Sequence, residues 1–458
     1  MHYNLNDTIV ALATPQGVGA IGVIRLSGPL AISICNSVFK GKDLNKEASH
    51  TLHFGKIVDI QGEIIDEVLV SIFNGPNSYT GENVVEISCH GSPYILQRVL
   101  EILHTQGARS AEAGEFTLRA FLNKKLDLSQ AEAVADLIAS DSKSSHHLAM
   151  QQMRGGFKNT IAGLRTELIN FAALIELELD FGEEDVEFAN RDKLIELINK
   201  IQAMLLPLME SFQLGNVIKN GVSTVIAGRP NAGKSTLLNT LLQEERAIVS
   251  EIAGTTRDTI EEALVIDGIV FRFIDTAGIR EATDTIEHLG IAKTFEKIRQ
   301  SSIIIYVFDC TQLNEVDVIE DIKQLHAGDI PVLLIANKID LIAITPKYKY
   351  PNLTVHSIAA KENRNINELK KLLHDLVLSN TKVVANDIII SNLRHYEALT
   401  KANKALESVQ CGIANKISGE LVAMDLKEAL TSLGSISGVI DIDQDILGAI
   451  FSKFCIGK

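Results

Sequence analysis

The segment Gly228-Arg-Pro-Asn-Ala-Gly233-Lys234-Ser235 has the spacing G-x-x-x-x-G-K-S. An apolar run, Val222 to Ala227, precedes it, and a helical pattern, Thr236 to Leu242, follows. Strand, loop and helix in that order are the context that makes this motif a phosphate cradle. Its glycines let backbone N–H groups wrap an anion, and the helix N-terminus favours negative charge. Asn231, Ala232, Gly233 and Thr236 belong to the cradle. Lys234 is placed to reach β and γ phosphates, and the Ser235 hydroxyl to ligate Mg²⁺. Asp275-Thr276-Ala277-Gly278 ends a strand. The Gly278 amide is expected to face the γ-phosphate, and the Asp275 carboxylate to hold a magnesium-bound water. Between them lies Ser250-Glu251-Ile252-Ala253-Gly254-Thr255-Thr256, where Thr256 offers a second hydroxyl to Mg²⁺. Asn337-Lys338-Ile339-Asp340 follows another strand. Asp340 can accept from the ring N–H and the exocyclic amine of guanine. Adenine offers neither in that arrangement and would leave the carboxylate unpaired. Four motifs in this order point to GTP.

Asn337 to Asp340 resembles the guanine-reading motif of the small GTPases. The supporting loop of that class, S-A-K, has only a blurred counterpart in Ser357-Ile-Ala-Ala-Lys361, so its residues stay open. Ras-like enzymes place a Gln after D-x-x-G to orient the attacking water. Here Ile279 stands there and cannot hydrogen-bond. Asn231 and the Ser250 to Thr256 stretch resemble the potassium-activated GTPases of the translation-factor-related class. That resemblance implies K⁺ held by Asn231, Ser250, Ile252 and Thr255, where an arginine finger would otherwise bring about 10³–10⁵ in rate. A carboxylate must then orient the water. Glu281, Asp284 and Glu287 follow in the next segment; the wider family resemblance given below implies Glu287, with Glu281 and Asp284 as competitors.

These motifs need a parallel sheet with helices. From about residue 216, apolar runs at Val222–Ala227, Phe271–Ile274, Ile303–Phe308 and Val332–Ala336 alternate with helical patterns, the signature of an α/β unit. Upstream, Thr8–Ala11, Ile21–Ile24 and Val68–Phe73 read as strands punctuated by Gly28-Pro29 and Gly75-Pro76, a small α+β domain over 1–120. Helical spacing follows, with Ile161, Leu164, Leu168, Phe171 and Ile175 on one face and Leu194, Ile198, Ile201 and Leu205 on another. It returns with Leu393, Tyr396, Leu399, Ala402, Leu406 and Val409. The reading is a helical domain in two parts, 121–215 and 380–458, with the α/β domain 216–379 inserted.

The charge narrows the function. Lys and Arg number 43 against 58 Asp and Glu, giving the net −15. A broad basic nucleic-acid surface is not expected. The five cysteines form no C-x-x-C, so neither a zinc site nor a disulfide framework is indicated. The start MHYNLNDTIV does not read as a signal peptide. No apolar run approaches the roughly 20 residues of a membrane span. A cytoplasmic setting without membrane contact is expected. The five carboxylates from Asp180 to Glu187 could hold a metal, but a solvated turn between helices is the better reading; His90 reads as structural and the His146-His147 pair as a surface feature.

Further segments carry a wider resemblance: Asp7-Thr-Ile-Val-Ala, Gly22-Val-Ile-Arg25-Leu-Ser-Gly28, Gly75-Pro-Asn-Ser-Tyr-Thr-Gly-Glu82, Glu86-Ile-Ser-Cys-His-Gly91, the Gly114 to Ala133 run, and Phe454-Cys-Ile-Gly-Lys458. Together they resemble the MnmE family along the whole chain. The resemblance implies a folate-binding N-terminal domain, an all-α domain and an inserted Ras-like G domain. It implies K⁺-dependent GTP hydrolysis coupled to placing an aminomethyl-type or carboxymethylaminomethyl group on carbon five of the tRNA wobble uridine. A tetrahydrofolate derivative, the 5,10-methylene or 5-formyl form, is implied at Arg25, Glu86, Lys125 and Lys458. So are a homodimer and an FAD-dependent partner, MnmG or GidA, in a heterotetramer that binds most of the tRNA. Cys455 invites a nucleophile reading as readily as a structural one. The rival reading is a ribosome-assembly or regulatory GTPase of the Era or Der type, which shares the phosphate loop and carries a basic RNA-binding domain.

Overall fold

A computed structural model describes residues 6–180, 191–244, 262–274, 301–325, 330–342, 354–379 and 388–438. The chain divides into two compact units. One holds Met1–Ala135, Gln152–Ala173 and Leu426–Lys458; the other holds Asp136–Gln151 and Leu174–Asp425.

The first unit is built on strands β1 (Ile9–Leu12), β2 (Ile21–Ser27), β3 (Phe39–Lys40), β4 (Thr51–Val58), β5 (Ile64–Phe73), β6 (Val84–His90) and β7 (Arg109–Ser110). Helices α1 (Ala31–Val38), α2 (Pro93–Thr105) and α3 (Glu115–Leu122) accompany these strands. The strands order as β3-β4-β5-β6-β2-β1-β7. All pairs are antiparallel except β1 with β7. In β5, Asp66, Val68, Val70 and Ile72 are buried while Glu67 and Leu69 face out, the period of two that a half-covered sheet requires. Val68, Val70 and Ile72 join Val10, Ile24, Leu26, Ile87, Ile34, Val99 and Leu103 in one apolar core between the sheet and α1 and α2.

Helices α4 (Leu128–Ala139), α5 (Lys143–Met153), α6 (Gly156–Asp180) and α7 (Arg191–Asn220) follow. Ile161, Leu168 and Ile175 are buried on α6, and Leu194, Ile198, Ile201 and Leu205 on α7, as their spacing predicts. Pro207 does not end α7. A proline removes one helical hydrogen bond, but Leu208, Ser211 and Gly215 prolong the buried stripe beyond it, and packing carries the helix on. His146 and His147 lie exposed on α5.

The α/β part has strands β8 (Val222–Ala227), β9 (Glu262–Ile266), β10 (Ile269–Phe273), β11 (Ile303–Asp309), β12 (Val332–Asn337) and β13 (Val355–Ser357). Its helices are α8 (Lys234–Glu244), α9 (Glu315–Gln324) and α10 (Ile366–Ser379). The order is β13-β12-β11-β8-β10-β9, and only β9 runs antiparallel to its neighbour. Every residue of β11 is buried, as expected of a central strand covered on both faces. One face packs Leu237, Leu241 and Leu373; the other packs Val318 and Ala359. The chain then returns to helix in α11 (Leu393–Ala414) and α12 (Gly419–Ser437), where Leu399, Ala402, Leu406 and Val409 are buried. Ile390 N–H donates to Ser211 Oγ on α7 (3.1 Å), and a Cβ on Gly215 would collide with the Ile390 carbonyl. Lys219, Asn220, Arg272 and Ser391 share the lining of a cavity of about 400 Å³.

Cys35, Cys89 and Cys310 are buried free thiols. Burial pushes the Cys89 thiol up to about 12, which leaves it inert at neutral pH. Among the described residues no helix is long and apolar enough to cross a membrane.

Candidate functional site

The phosphate loop leaves β8 and enters α8, as the motif requires. Gly228 takes φ +146° against the backbone of Val307 on the neighbouring β11, and Gly233 takes φ +96° against Asn337 Nδ2. A Cβ at either place would collide, so both close approaches need glycine. Asn231, exposed at the tip, also has positive φ, +61°. Lys234 Nζ donates to Gly228 O (2.8 Å) and Arg229 O (2.9 Å). Burial pushes the pKa of its ammonium below the ordinary lysine value, as expected of a desolvated positive charge. The α8 ladder begins with Leu237 N–H donating to Gly233 O (2.9 Å). The amides before it have no acceptor within the helix. A ring of N–H groups, one ammonium and the Ser235 hydroxyl in the first helical turn fit a polyphosphate with Mg²⁺.

Asn337 joins this loop to the base-reading side. It is buried on the last residue of β12. Its Nδ2 donates to Ala232 O (2.9 Å), and its Oδ1 accepts from Ala360 N–H (3.1 Å). Ala360 O in turn accepts from Thr240 on α8 (2.9 Å). The Ser357–Lys361 stretch, left open by the sequence, is thereby tied through Ala360 to Asn337 and to α8. Lys338, in the left-handed region at φ +68°, is tied to Asp309 Oδ2 (2.7 Å). Burial raises the Asp309 carboxyl, but Lys338 and Thr311 outweigh it and hold the group low. Asp340 lies in a short helical turn, half-buried. Ser250, Glu251, Ile252, Ala253, Gly254, Thr255, Thr256, Asp275, Thr276, Ala277, Gly278, Glu281, Asp284 and Glu287 lie outside the described residues.

The N-terminal unit brings Arg25 and Glu86 face to face. They are register partners across β2 and β6, and Arg25 Nε and Nη2 both reach Glu86 Oε1 at 2.8 Å. The guanidinium lies over two rings, 5.4 Å from the Tyr79 centroid and 5.7 Å from that of Phe116. Sequence reasoning singled out neither aromatic, although both fall in quoted stretches. Lys125 Nζ donates to Pro76 O (2.9 Å), in the loop that also carries Tyr79. Lys458 and Cys455 lie outside the described residues. His90, at the end of β6, donates its backbone N–H to Asp66 Oδ2 (2.7 Å), and its Nδ1 meets Asp66 Oδ1 (2.7 Å).

A buried charge network stands behind these groups. Arg119 is fully buried on α3. It donates to Asp7 O (2.9 Å), Asp7 Oδ1 (2.5 Å), Glu115 Oε1 (3.0 Å) and both Glu82 oxygens (3.2 Å). Arg109 bridges Asp7 and Glu115 from outside. Ser27, two residues from Arg25 on β2, donates to Glu82 Oε2 (2.7 Å). The network thus fixes β2, the 75–82 loop and α3 together.

Residues 8–125 match the family model described as GTP-binding protein TrmE N-terminus, and residues 128–455 match that of the MnmE helical domain. The chain belongs to the MnmE family. The protein named tRNA modification GTPase MnmE in Flavobacterium johnsoniae is 56% identical to it, over 99% of each chain. The namesake in Cytophaga hutchinsonii is 55% identical, over 99% of this chain and 98% of its own. That in Bacteroides thetaiotaomicron is 51% identical, over 99% of both. MnmE likeness running through both the N-terminal and the helical parts sets aside the Era or Der type of GTPase.

Proposed function

We propose that this chain hydrolyses GTP and couples the turnover to modification of carbon five of the tRNA wobble uridine. The observation that carries the reading is identity of 56% along 99% of a tRNA modification GTPase. That span includes the phosphate loop and the Arg25–Glu86 pair alike. Lys234 binds the β and γ phosphates, Ser235 and Thr256 hold Mg²⁺, and Asp340 reads guanine. Asn231, with Ser250, Ile252 and Thr255, holds K⁺, and Glu287 orients the water. Support for the cation comes from Ile279, which cannot orient water, and from Asn231, exposed at the tip of the loop.

The N-terminal unit takes a reduced folate. Glu86 accepts from the amidine-like edge of the pterin, and Arg25 or Lys125 pairs with the anionic tail. Without ligand, Arg25 and Glu86 neutralise each other, so folate binding must exchange this pair for two new ones. The aromatic faces of Tyr79 and Phe116 beside Arg25 suit a flat heterocycle. Phe54 and Leu69 are cross-strand partners on the outer sheet face. With Leu52 they leave an apolar strip exposed, and this supports a homodimer through the N-terminal units. The net charge of −15 supports leaving most tRNA contacts to an FAD-dependent partner of the MnmG type in a heterotetramer. A cytoplasmic setting fits.

Two measurements test the proposal. tRNA from cells lacking the chain should lose its modified wobble uridines; an unchanged nucleoside profile removes the coupling. GTP turnover in K⁺ should exceed that in Na⁺ at equal ionic strength; equal rates remove the cation reading.

A further inference from the structure

Arg229 does two different things in the phosphate loop. Its carbonyl accepts from Lys234 Nζ (2.9 Å) and from Ala232 N–H (3.4 Å). The second bond closes a four-residue turn, Arg229 to Ala232. Pro230 at the second position presets its φ, and Asn231 at the third takes φ +61°, as a type II turn requires. The side chain reaches elsewhere. Arg229 Nε donates to Asp321 Oδ2 (2.7 Å) and Nη2 to Asp321 Oδ1 (2.9 Å). The hydroxyl of Tyr306, a buried residue of the central strand β11, donates to the same Oδ2. One carboxylate on α9 therefore gathers the phosphate loop and the sheet.

The Arg229 side chain is 45% exposed, and pairs that exposed add little stability. What a bidentate guanidinium–carboxylate pair adds is orientation, because two parallel bonds fix an angle as well as a distance. We propose that Arg229, Asp321 and Tyr306 form a clamp that holds the Arg229–Ala232 turn and so positions Asn231 and Lys234 for GTP hydrolysis. None of the three is a catalytic residue; each acts through the turn. The carbonyl that aims Lys234 and the residue that begins the Asn231 turn are the same residue, so freeing its side chain lets both groups drift. A misplacement of about 1 Å near reacting atoms can lower a rate about a hundredfold.

The inference rests on the phosphate loop being the GTP site, and its cation arm rests on K⁺ at Asn231. The test uses the full-length protein with Arg229→Lys, Asp321→Asn, Tyr306→Phe, the single variants Arg229→Ala and Asp321→Ala and their double variant, with Glu320→Gln on the exposed side of α9 as control. Lysine keeps the charge and loses the fork. Arg229→Lys and Asp321→Asn should each lower kcat about tenfold and raise the half-saturating K⁺ severalfold, with KM for GTP changed less than threefold and the melting temperature unmoved. Tyr306→Phe should do the same more weakly. The double variant should be no worse than Arg229→Ala or Asp321→Ala alone, since the two act as one unit. Unchanged kcat in both Arg229→Lys and Asp321→Asn overturns the clamp. So does a parallel fall of kcat, nucleotide affinity and melting temperature, which marks a merely structural pair. If the unmodified protein proves indifferent to K⁺, the cation reading fails while kcat still decides the clamp.

Discussion

Asn337 offers the most direct test of how the two halves of the nucleotide site are held together. Replacing it by alanine removes both of its side-chain hydrogen bonds. The groups left behind, Ala232 O and Ala360 N–H, belong to residues only 2% exposed. A buried polar group stripped of its partner costs about 1–3 kcal/mol. Two such groups would cost about 2–6 kcal/mol, and water entering the space vacated by the amide recovers part of it. The lower end, about 2–3 kcal/mol, is the expected loss of stability for the α/β domain. At about 2–4 °C per kcal/mol for a domain of this size, its calorimetric transition should fall by about 4–12 °C. GDP affinity should weaken as well, because phosphate loop and base loop no longer share an anchor. Asn337→Asp should be as damaging for a different reason: an anionic oxygen would then face the Ala232 carbonyl. A transition within 1 °C of the parent, with GDP binding unchanged, would mean that the bridge contributes nothing.

Four other outcomes are expected. Arg119→Ala removes the buried cation shared by Asp7, Glu82 and Glu115, leaving Arg109 beside Asp7 and Glu115 and the Ser27 hydroxyl beside Glu82; breaking a buried ion network typically costs about 3–5 kcal/mol. Amides of β2 and α3 should then exchange about 10²- to 10³-fold faster, and rates within threefold of the parent would refute the network's importance. The pH dependence has a definite sign: burial raises the Asp7 and Glu115 carboxyls, but their arginine partners outweigh it and hold both below 3.8 and 4.5. Their stabilisation is complete above those values and lost as pH falls through the lowered ones, so β1–β2 protection should decline below about pH 4 and not between pH 5 and 8. Asp340→Asn should weaken GTP and admit xanthosine triphosphate, measured by competition; an unchanged preference would remove Asp340 as the guanine reader. Arg25→Ala, Glu86→Ala and Lys125→Ala should each weaken binding of 5-formyltetrahydrofolate by calorimetry and spare GTP turnover, and three silent variants would remove the folate reading.

Much of the architecture was legible because it is local. The strands from Val222, Ile303 and Val332 and the helix faces of α6, α7 and α11 follow from residue spacing, and the phosphate loop carries its own context. What escaped depends on residues distant in sequence. The hydrogen bond from Ala360 to Asn337 joins positions 23 apart, and nothing in the stretch Ser357 to Lys361 announces it. Arg25 and Glu86 are separated by 61 residues, and only the antiparallel register of β2 on β6 sets them opposite each other. Arg119 looks like a surface residue by type, since arginine is rarely buried unless paired; three carboxylates from separate segments make it an interior one. Pro207 sits inside α7, where the buried stripe beyond it outweighs the missing hydrogen bond.

The chain passes into the α/β part at Asn220 and comes back out beside Ser391, and both residues border one cavity. Ile390 is fastened there to Ser211, one turn of α7 before Gly215. Departure and return thus share a single mounting bracket. A short linker between those two points would span the gap left by removing everything from 221 to 388. Chain ends that lie close together are what let a module be spliced into a host or permuted without re-threading it. The helical scaffold is, in that sense, a socket: its own packing along α7 and α11 continues past the join, whatever cartridge the loop carries.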